Sequence, residues 1–314
     1  MNYRLLSRLI GPAIFVAILI FVVDINQLEK AWGILRYRYL GLSLFVVPFI
    51  IVVRSFRWQQ VLTVFKVDYT VWQCFKYTFV EMIAVALVSS IGPFVKTFYL
   101  RRDGTGFTDA ILSIFCDKAF DFMLPVLFGS FSAMALYFHL DSDYSLLIFG
   151  VLLLALYKPI QIVGAHILPK IIPKKIMQTT PGKSRRFQIH YRRTLTALTY
   201  RTYVLSIFGF LLYFLSIYFL SLGLGFNFSY SQIVCIMALT SIITAIPISF
   251  LGIGTRDAAL IAVLFWYGHT VEEAISLSIG LLLLRIFIML MGAFFWFMDP
   301  PPLSALKLEN TRSK

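Results

Sequence analysis

The sequence predicts an all-α polytopic integral membrane protein, with about six full spans and two re-entrant helical hairpins in inverted repeats. Three observations predict this class. Of 314 residues, 59% are hydrophobic and only 14% charged, with a mean hydropathy of +0.83; a soluble domain would carry nearer a quarter charged residues. Apolar runs recur along the chain, and several approach the roughly 20 residues that cross hydrocarbon. Two of them are broken just beyond their ends, by Gly92-Pro93 and by a region holding Pro247, Gly252 and Gly254.

Taken in order, the first run is Leu9–Val23, behind Arg4 and Arg8. No small-x-small cleavage pattern follows it, so it reads as a retained helix and not as a signal peptide. The next runs are Tyr39–Val53, Val71–Ser90, Ala110–Leu140, Tyr144–Leu168, Tyr203–Leu222, Ser231–Phe250, Ala258–Tyr267 and Val271–Met298. Val71–Ser90 and Ser231–Phe250 read as re-entrant hairpins, because broken backbone in hydrocarbon must be buried in protein or line a wet cavity.

The chain divides as one transmembrane domain, 1–314. A first repeat covers about 39–140, a connecting span and basic loop 144–201, a second repeat 203–298, and a short tail 299–314. Ser89-Ser90-Ile91-Gly92-Pro93 resembles Thr244-Ala245-Ile246-Pro247-Ile248, and Asp109-Ala110-Ile111 resembles Glu273-Ala274-Ile275. Each copy reads span, hairpin, span. The loop charges bring the first hairpin in from outside and the second from the cytoplasm. Paired broken helices in inverted repeats are a transporter architecture, with the site at the repeat interface.

The net charge of +13 falls mostly in short loops. That is the positive-inside pattern, with attraction to anionic lipid as a second role, and it gives no ground for nucleic-acid binding. Pro169 to Arg201 holds nine Lys and Arg and no acid, so it is expected in the cytoplasm together with both termini. The cell inner (cytoplasmic) membrane is the expected location. Cys74, Cys116 and Cys235 lie in apolar segments and read as buried hydrophobes. His139, His166, His190 and His269 show no metal spacing, and no phosphate-binding glycine loop or nucleophile motif occurs. No metal, cofactor or catalytic residue is expected.

The candidate site residues are charges in apolar context. Arg54 and Arg57, three apart, share a helix face and precede Trp58; they read either as interfacial anchors or as a fork for a lipid phosphate. Glu81 has no counter-charge on its own face, so it bonds Tyr77 one turn away or meets an arginine from another helix. Lys96 can face the cavity, while Arg101 and Arg102 look like a cytoplasmic cuff. Asp117 and Asp121 share a face at i, i+4 with Lys118 beside them, among Phe120, Phe122, Met123 and Leu124. Such pairs are costly in hydrocarbon and read as either a buried structural network or a site. Gly252 and Gly254 break a helix where Thr255, Arg256 and Asp257 can point inward. Arg285 needs an inward-facing acid, for which Asp117, Asp121 and Asp257 are candidates.

Four elements carry a family resemblance. They are Arg54-x-x-Arg57-Trp58, the Gly92-x-x-x-Lys96 element ending in Arg101-Arg102, Asp117-Lys118-x-x-Asp121, and Ile246-Pro247-Ile248-Ser249-x-x-Gly252-Ile253-Gly254-Thr255-Arg256-Asp257. Together they resemble the lysylphosphatidylglycerol synthase transmembrane family, the flippase-like domain of the multiple peptide resistance factor. The likeness covers nearly the whole chain, and its last element is the most specific. The chain departs at Pro93, where the family usually has an acid, and has Lys96 for Arg, Asp117-Lys118 for Glu-Arg, and Asp257 for Glu. The resemblance implies a stand-alone member without the soluble transferase domain, which moves a lipid or lipid-linked head group between leaflets. Its expected partners are membrane lipids with an anionic, aminoacylated or glycosylated head group, a second copy of the chain, or a separate synthase. The alternatives are an integral-membrane transferase or anchoring subunit for a lipid-linked sugar, and a small-solute transporter on the same repeat.

Overall fold

The computed structural model describes residues 36–87, 92–138, 142–155, 157–158, 199–244, 255–269 and 271–302. The elements are α1 (Tyr37–Val64), α2 (Val71–Leu87), a 3-10 turn at Gly92–Phe94, α3 (Val95–Arg102), α4 (Phe107–Tyr137), α5 (Ser142–Ala155), α6 (Tyr200–Gly223), α7 (Tyr230–Thr244), α8 (Thr255–Trp266) and α9 (Val271–Met298). No strand occurs among the described residues. By length and composition, α1, α6 and the Glu273–Met298 part of α9 can cross a membrane. The chain is a helical integral membrane protein. The expected first span Leu9–Val23, the basic loop, and Gly252 and Gly254 lie outside the described residues.

Charge ended the second expected span at Val53, but it does not end the helix. α1 runs on through Arg54 and Arg57 to Val64, because Arg57 is buried and neutralised by acids on another helix. Its interior Pro48 is of a kind that membrane helices tolerate when neighbours satisfy the freed backbone group. α4 likewise passes through Asp117, Lys118, Asp121 and Pro125 without a break.

The two halves repeat one order of elements: a long helix, a second helix, a short third helix and a long fourth. Aligning their starts sets Tyr37 with Tyr200, Val71 with Tyr230 and Phe107 with Val271. The leading helices, α1 and α6, pack antiparallel along their lengths. Arg36 N donates to Gly223 O at 2.8 Å at one end. Ser43 Oγ donates to Ser216 O at 2.7 Å further along, and Arg57 Nη1 reaches Ser206 Oγ at 3.3 Å beyond that. Each half's second helix packs on the other half's last one, α2 on α9 and α7 on α4. Antiparallel equivalents with exchanged partners describe a two-fold rotation about an axis perpendicular to the helices.

The exchange recurs at atomic detail. A Cβ on Gly292 of α9 would stand 2.5 Å from the Phe79 carbonyl oxygen of α2, and one on Gly129 of α4 would stand 2.7 Å from the Ala238 carbonyl oxygen of α7. Phe79 and Ala238 are equivalent in the alignment above, and the two glycines match within one position. Helix ends repeat too. α1 and α6 close with the same pair of backbone bonds, Val67 N to Leu62 O and Lys66 N to Thr63 O in one, Phe226 N to Ser221 O and Gly225 N to Leu222 O in the other. This closure needs a left-handed residue. Gly225 supplies it at φ 85°, whereas Lys66 is forced to φ 59°.

Within the first half, α2 and the Gly92–Arg102 segment pack side by side as a hairpin. Its two ends meet where Tyr69 OH donates to Asp103 Oδ2 at 2.6 Å. One large apolar core runs through α4, α6, α7 and α9; a second joins the hairpin to α1 and the end of α9.

Candidate functional site

The hairpin carries Glu81 on α2 and Lys96 in the first turn of α3 into the face that α1 and α4 present. Arg57 of α1 donates through Nε to Asp117 Oδ1 and through Nη1 to Asp121 Oδ1, each at 2.8 Å. Lys96 Nζ lies 2.5 Å from Glu81 Oε2 and 3.5 Å from Asp117 Oδ2. Lys118 Nζ contacts Glu81 Oε1 and bonds Asp121 Oδ2 at 3.0 Å. Three cations and three anions from four helices therefore form one cluster of zero net charge. Arg57, Glu81, Lys96 and Asp117 are fully buried. Lys118 and Asp121 keep 14% and 17% of their side chains exposed, and they form its open edge.

Packing fixes the cations. The face of Trp58 lies 4.1 Å from Lys96 Nζ, and Trp58 is itself fully buried. Ser206 of α6 adds a hydroxyl to Arg57. Around the cluster the Trp58 Nε1, Thr78 Oγ1 and Thr97 Oγ1 are buried without a hydrogen-bond partner among the described residues, and Glu81 has ammonium contacts but no aligned hydrogen bond there. Buried polar groups are seldom left so, which leaves hydrogen-bonding capacity for water or ligand.

Two sequence expectations change here. Arg57 is neither an interfacial anchor nor an open phosphate fork, since two carboxylates fill the fork. Glu81 pairs with two lysines, not with Tyr77 or an arginine. The Tyr77 phenol instead accepts from Arg102 Nη2 at 2.9 Å. That arginine also donates to Asp299 Oδ1 at 2.9 Å and Asp103 Oδ1 at 3.0 Å, tying the mouth of the hairpin to the end of α9. Burial, then the neighbouring Asp103 carboxylate, pushes the Tyr69 phenol at this mouth well above its ordinary range. Beside it, a cleft of about 560 Å³ is lined by Lys66, Asp68, Tyr69, Gln73, Asp103 and Asp109 among others.

A family model, the lysylphosphatidylglycerol synthase TM region, matches residues 8–292. The chain belongs to that family. This family is a membrane domain linked to the modification or translocation of lipid head groups. No curated protein and no solved structure matches the chain.

In this lysylphosphatidylglycerol synthase TM region, six of the residues singled out in the sequence come together: Arg57, Glu81, Lys96, Asp117, Lys118 and Asp121. Arg54 stands one turn before Arg57, half-buried, near enough for its charge to act on Asp121 and Lys118. Thr255, Arg256 and Asp257 form the first turn of α8. Arg285 is half-buried on α9, and two of the acids proposed for it, Asp117 and Asp121, are engaged by Arg57, Lys96 and Lys118. Trp58 and Ser206 were missed as cluster members. The Arg57-Trp58 dipeptide was visible, but a lone serine in an apolar helix carries no sequence signal.

The second half does not repeat the cluster. At the positions equivalent to Arg57, Glu81 and Asp117 it has Leu220, Thr240 and Leu281, all buried. Asp121 and Lys96 have charged counterparts, Arg285 and, with α3 and α8 aligned by their starts, Arg256. The acids of the cluster are thus built on one side of the two-fold relation.

Proposed function

We propose that this chain moves a lipid or lipid-linked head group between membrane leaflets, and that it is a transporter and not an enzyme. The observation that carries the reading is the neutral six-charge cluster on α1, α2, α3 and α4. Buried ion pairs are poor stabilisers compared with apolar packing, so a cluster of this size in a lipid-embedded protein argues for use. The family's link to lipid head groups agrees with it.

In this reading the α2–α3 hairpin and the α7–α8 pair are re-entrant, and their tips face each other near the bilayer centre. Arg54, Lys118, Asp121, Arg285 and the first turn of α8, with Thr255, Arg256 and Asp257, line a wet cavity for the head group, while acyl chains stay in lipid. The N-terminus of a broken helix such as α8 favours an anionic group. With both termini and the basic loop in the cytoplasm of an inner-membrane protein, the Arg36 and Gly223 ends lie outside. The mouth at Tyr69–Asp103 then faces the cytoplasm and that at Leu224–Ser229 faces outward, the reverse of the entrances read from loop charge.

Proteoliposomes of the purified protein, loaded with fluorescent phospholipids on one leaflet, test the reading. Protein-dependent exposure of label to a membrane-impermeant quencher is expected. Exposure no faster than in protein-free vesicles, across anionic, zwitterionic and aminoacylated lipids, would overturn it.

A further inference from the structure

Arg54 differs from every cation in the cluster. Arg57, Lys96 and Lys118 each hold two or more acids, whereas Arg54 has no ion pair or hydrogen bond among the described residues. The six paired charges sum to zero, so Arg54 adds a positive charge that no acid of the cluster balances. It lies ten residues before the end of α1, roughly 15 Å along the axis. It stands one turn before Arg57, which bonds Asp121, and its charge acts on the partly exposed Lys118 and Asp121. Phe122, one turn after Lys118 on the same face of α4, is exposed at 70%, so in a membrane-embedded chain this edge is reached sideways from lipid.

We propose that Arg54, and not Arg57, takes the single negative charge of a phosphodiester, with Lys118 beside it and Asp121 setting the limit at one charge. This rests on the reading of the cluster as a head-group site and names the group it recognises. Arg57 is a positioning residue that holds Asp117 and Asp121 in place. A phosphodiester brings one negative charge and balances that of Arg54; a phosphomonoester brings nearly two and meets Asp121. The bidentate fork of Arg54 fits the two free oxygens of the diester.

The test compares the detergent-purified full chain with R54Q and R54K. Binding is measured for phosphatidylglycerol, for phosphatidic acid, for diacylglycerol of the same acyl chains, and for inorganic phosphate. R54Q is expected to weaken phosphatidylglycerol by about 10- to 100-fold, the loss of one charge-assisted pair, with an unchanged melting temperature. R54K should recover most of the affinity, and diacylglycerol should bind equally weakly to all three. Arg54-dependent displacement of phosphatidylglycerol by inorganic phosphate would support the site and identify a free anion as its source. Phosphatidylglycerol binding to R54Q within about twofold of the parent, or diacylglycerol bound as tightly as phosphatidylglycerol, would overturn the proposal. So would tighter binding of phosphatidic acid than of the diester. Translocation by the same proteins separates the two readings. Arg54-dependent binding without movement sinks the transporter, and movement by R54Q at the parent rate sinks only the assignment to Arg54.

Discussion

Arg57 and Asp117 meet at 2.8 Å, Nε to Oδ1, across 60 residues of sequence, with both side chains buried. The second guanidinium bond, to Asp121, makes this arginine the joint between α1 and α4. Removing it would leave two acids facing Lys96 and Lys118 alone. Breaking a buried pair costs about 3–5 kcal/mol because the partner's charge stays buried. Arg57→Ala should therefore fall by that amount in denaturant or thermal unfolding in detergent, and Arg57→Lys should recover part of it, lacking the fork. An Arg57→Ala protein with an unchanged melting temperature would show that water reaches both acids.

Glu81 sits between Lys96 and Lys118, so its effect should depend on them. Glu81→Gln leaves the cluster at +1 and should destabilise it. Adding Lys118→Met restores neutrality and should cost less than the two single changes together, by about 0.5–3 kcal/mol of coupling. A double-mutant cycle on unfolding free energy measures this. Additivity within about 0.3 kcal/mol would mean that Lys118 and Glu81 do not form a working pair.

How much of this was legible in the sequence follows from the physics of each signal. Charge in an apolar run stands out because hydrocarbon penalises it, so Arg57, Glu81, Lys96, Asp117, Lys118 and Asp121 were all visible. Their partners were not. A helical wheel shows which residues share a face on one helix, and it offered Tyr77 for Glu81; the lysines come from two other elements. The same penalty misled at Val53, since a charge marks a helix end only while it is unpaired. The repeat was visible where short motifs survive. The exchange of partners between halves depends on interhelical contacts at Gly129 and Gly292, which no local pattern announces.

Lys66 occupies a left-handed position that its counterpart Gly225 fills without strain. Left-handed backbone costs a residue with a Cβ about 1–2 kcal/mol, part of which glycine gives back in unfolded-state entropy. Lys66→Gly should stabilise the protein by about 0.5–1 kcal/mol, seen as a higher melting temperature. Gly225→Ala should do the opposite. A lower melting temperature for Lys66→Gly would mean that the ammonium does work at the cleft mouth.

Gly129 and Gly292 let α4 approach α7 and α9 approach α2. At Gly292 the first obstacle to a Cβ is the Phe79 carbonyl, and at Gly129 it is the Ile242 side chain with the Ala238 carbonyl just behind; a backbone carbonyl cannot swing aside as a side chain can. Alanine at either site should force the helices apart and cost about 1–3 kcal/mol, with similar losses at both. The unfolding of the two single variants checks this. A loss at one site only would break the equivalence of the two interfaces.

The antiparallel packing of α1 on α6 makes a claim about the membrane. If both helices cross it, the loops that follow them, around Asp68 and Asn227, lie on opposite sides. Both residues are exposed, and Cys74, Cys116 and Cys235 are buried, so the parent should give little background with a thiol reagent. Asn227→Cys in intact cells should react with an impermeant maleimide. Asp68→Cys should react only after the cells are opened, because positive-inside topology sets the basic loop before α6 in the cytoplasm. Reaction of both from outside, or of neither, would show that α1 and α6 are not an inverted pair across the bilayer. Reaction of Asp68→Cys alone would keep the inversion and turn the whole topology over.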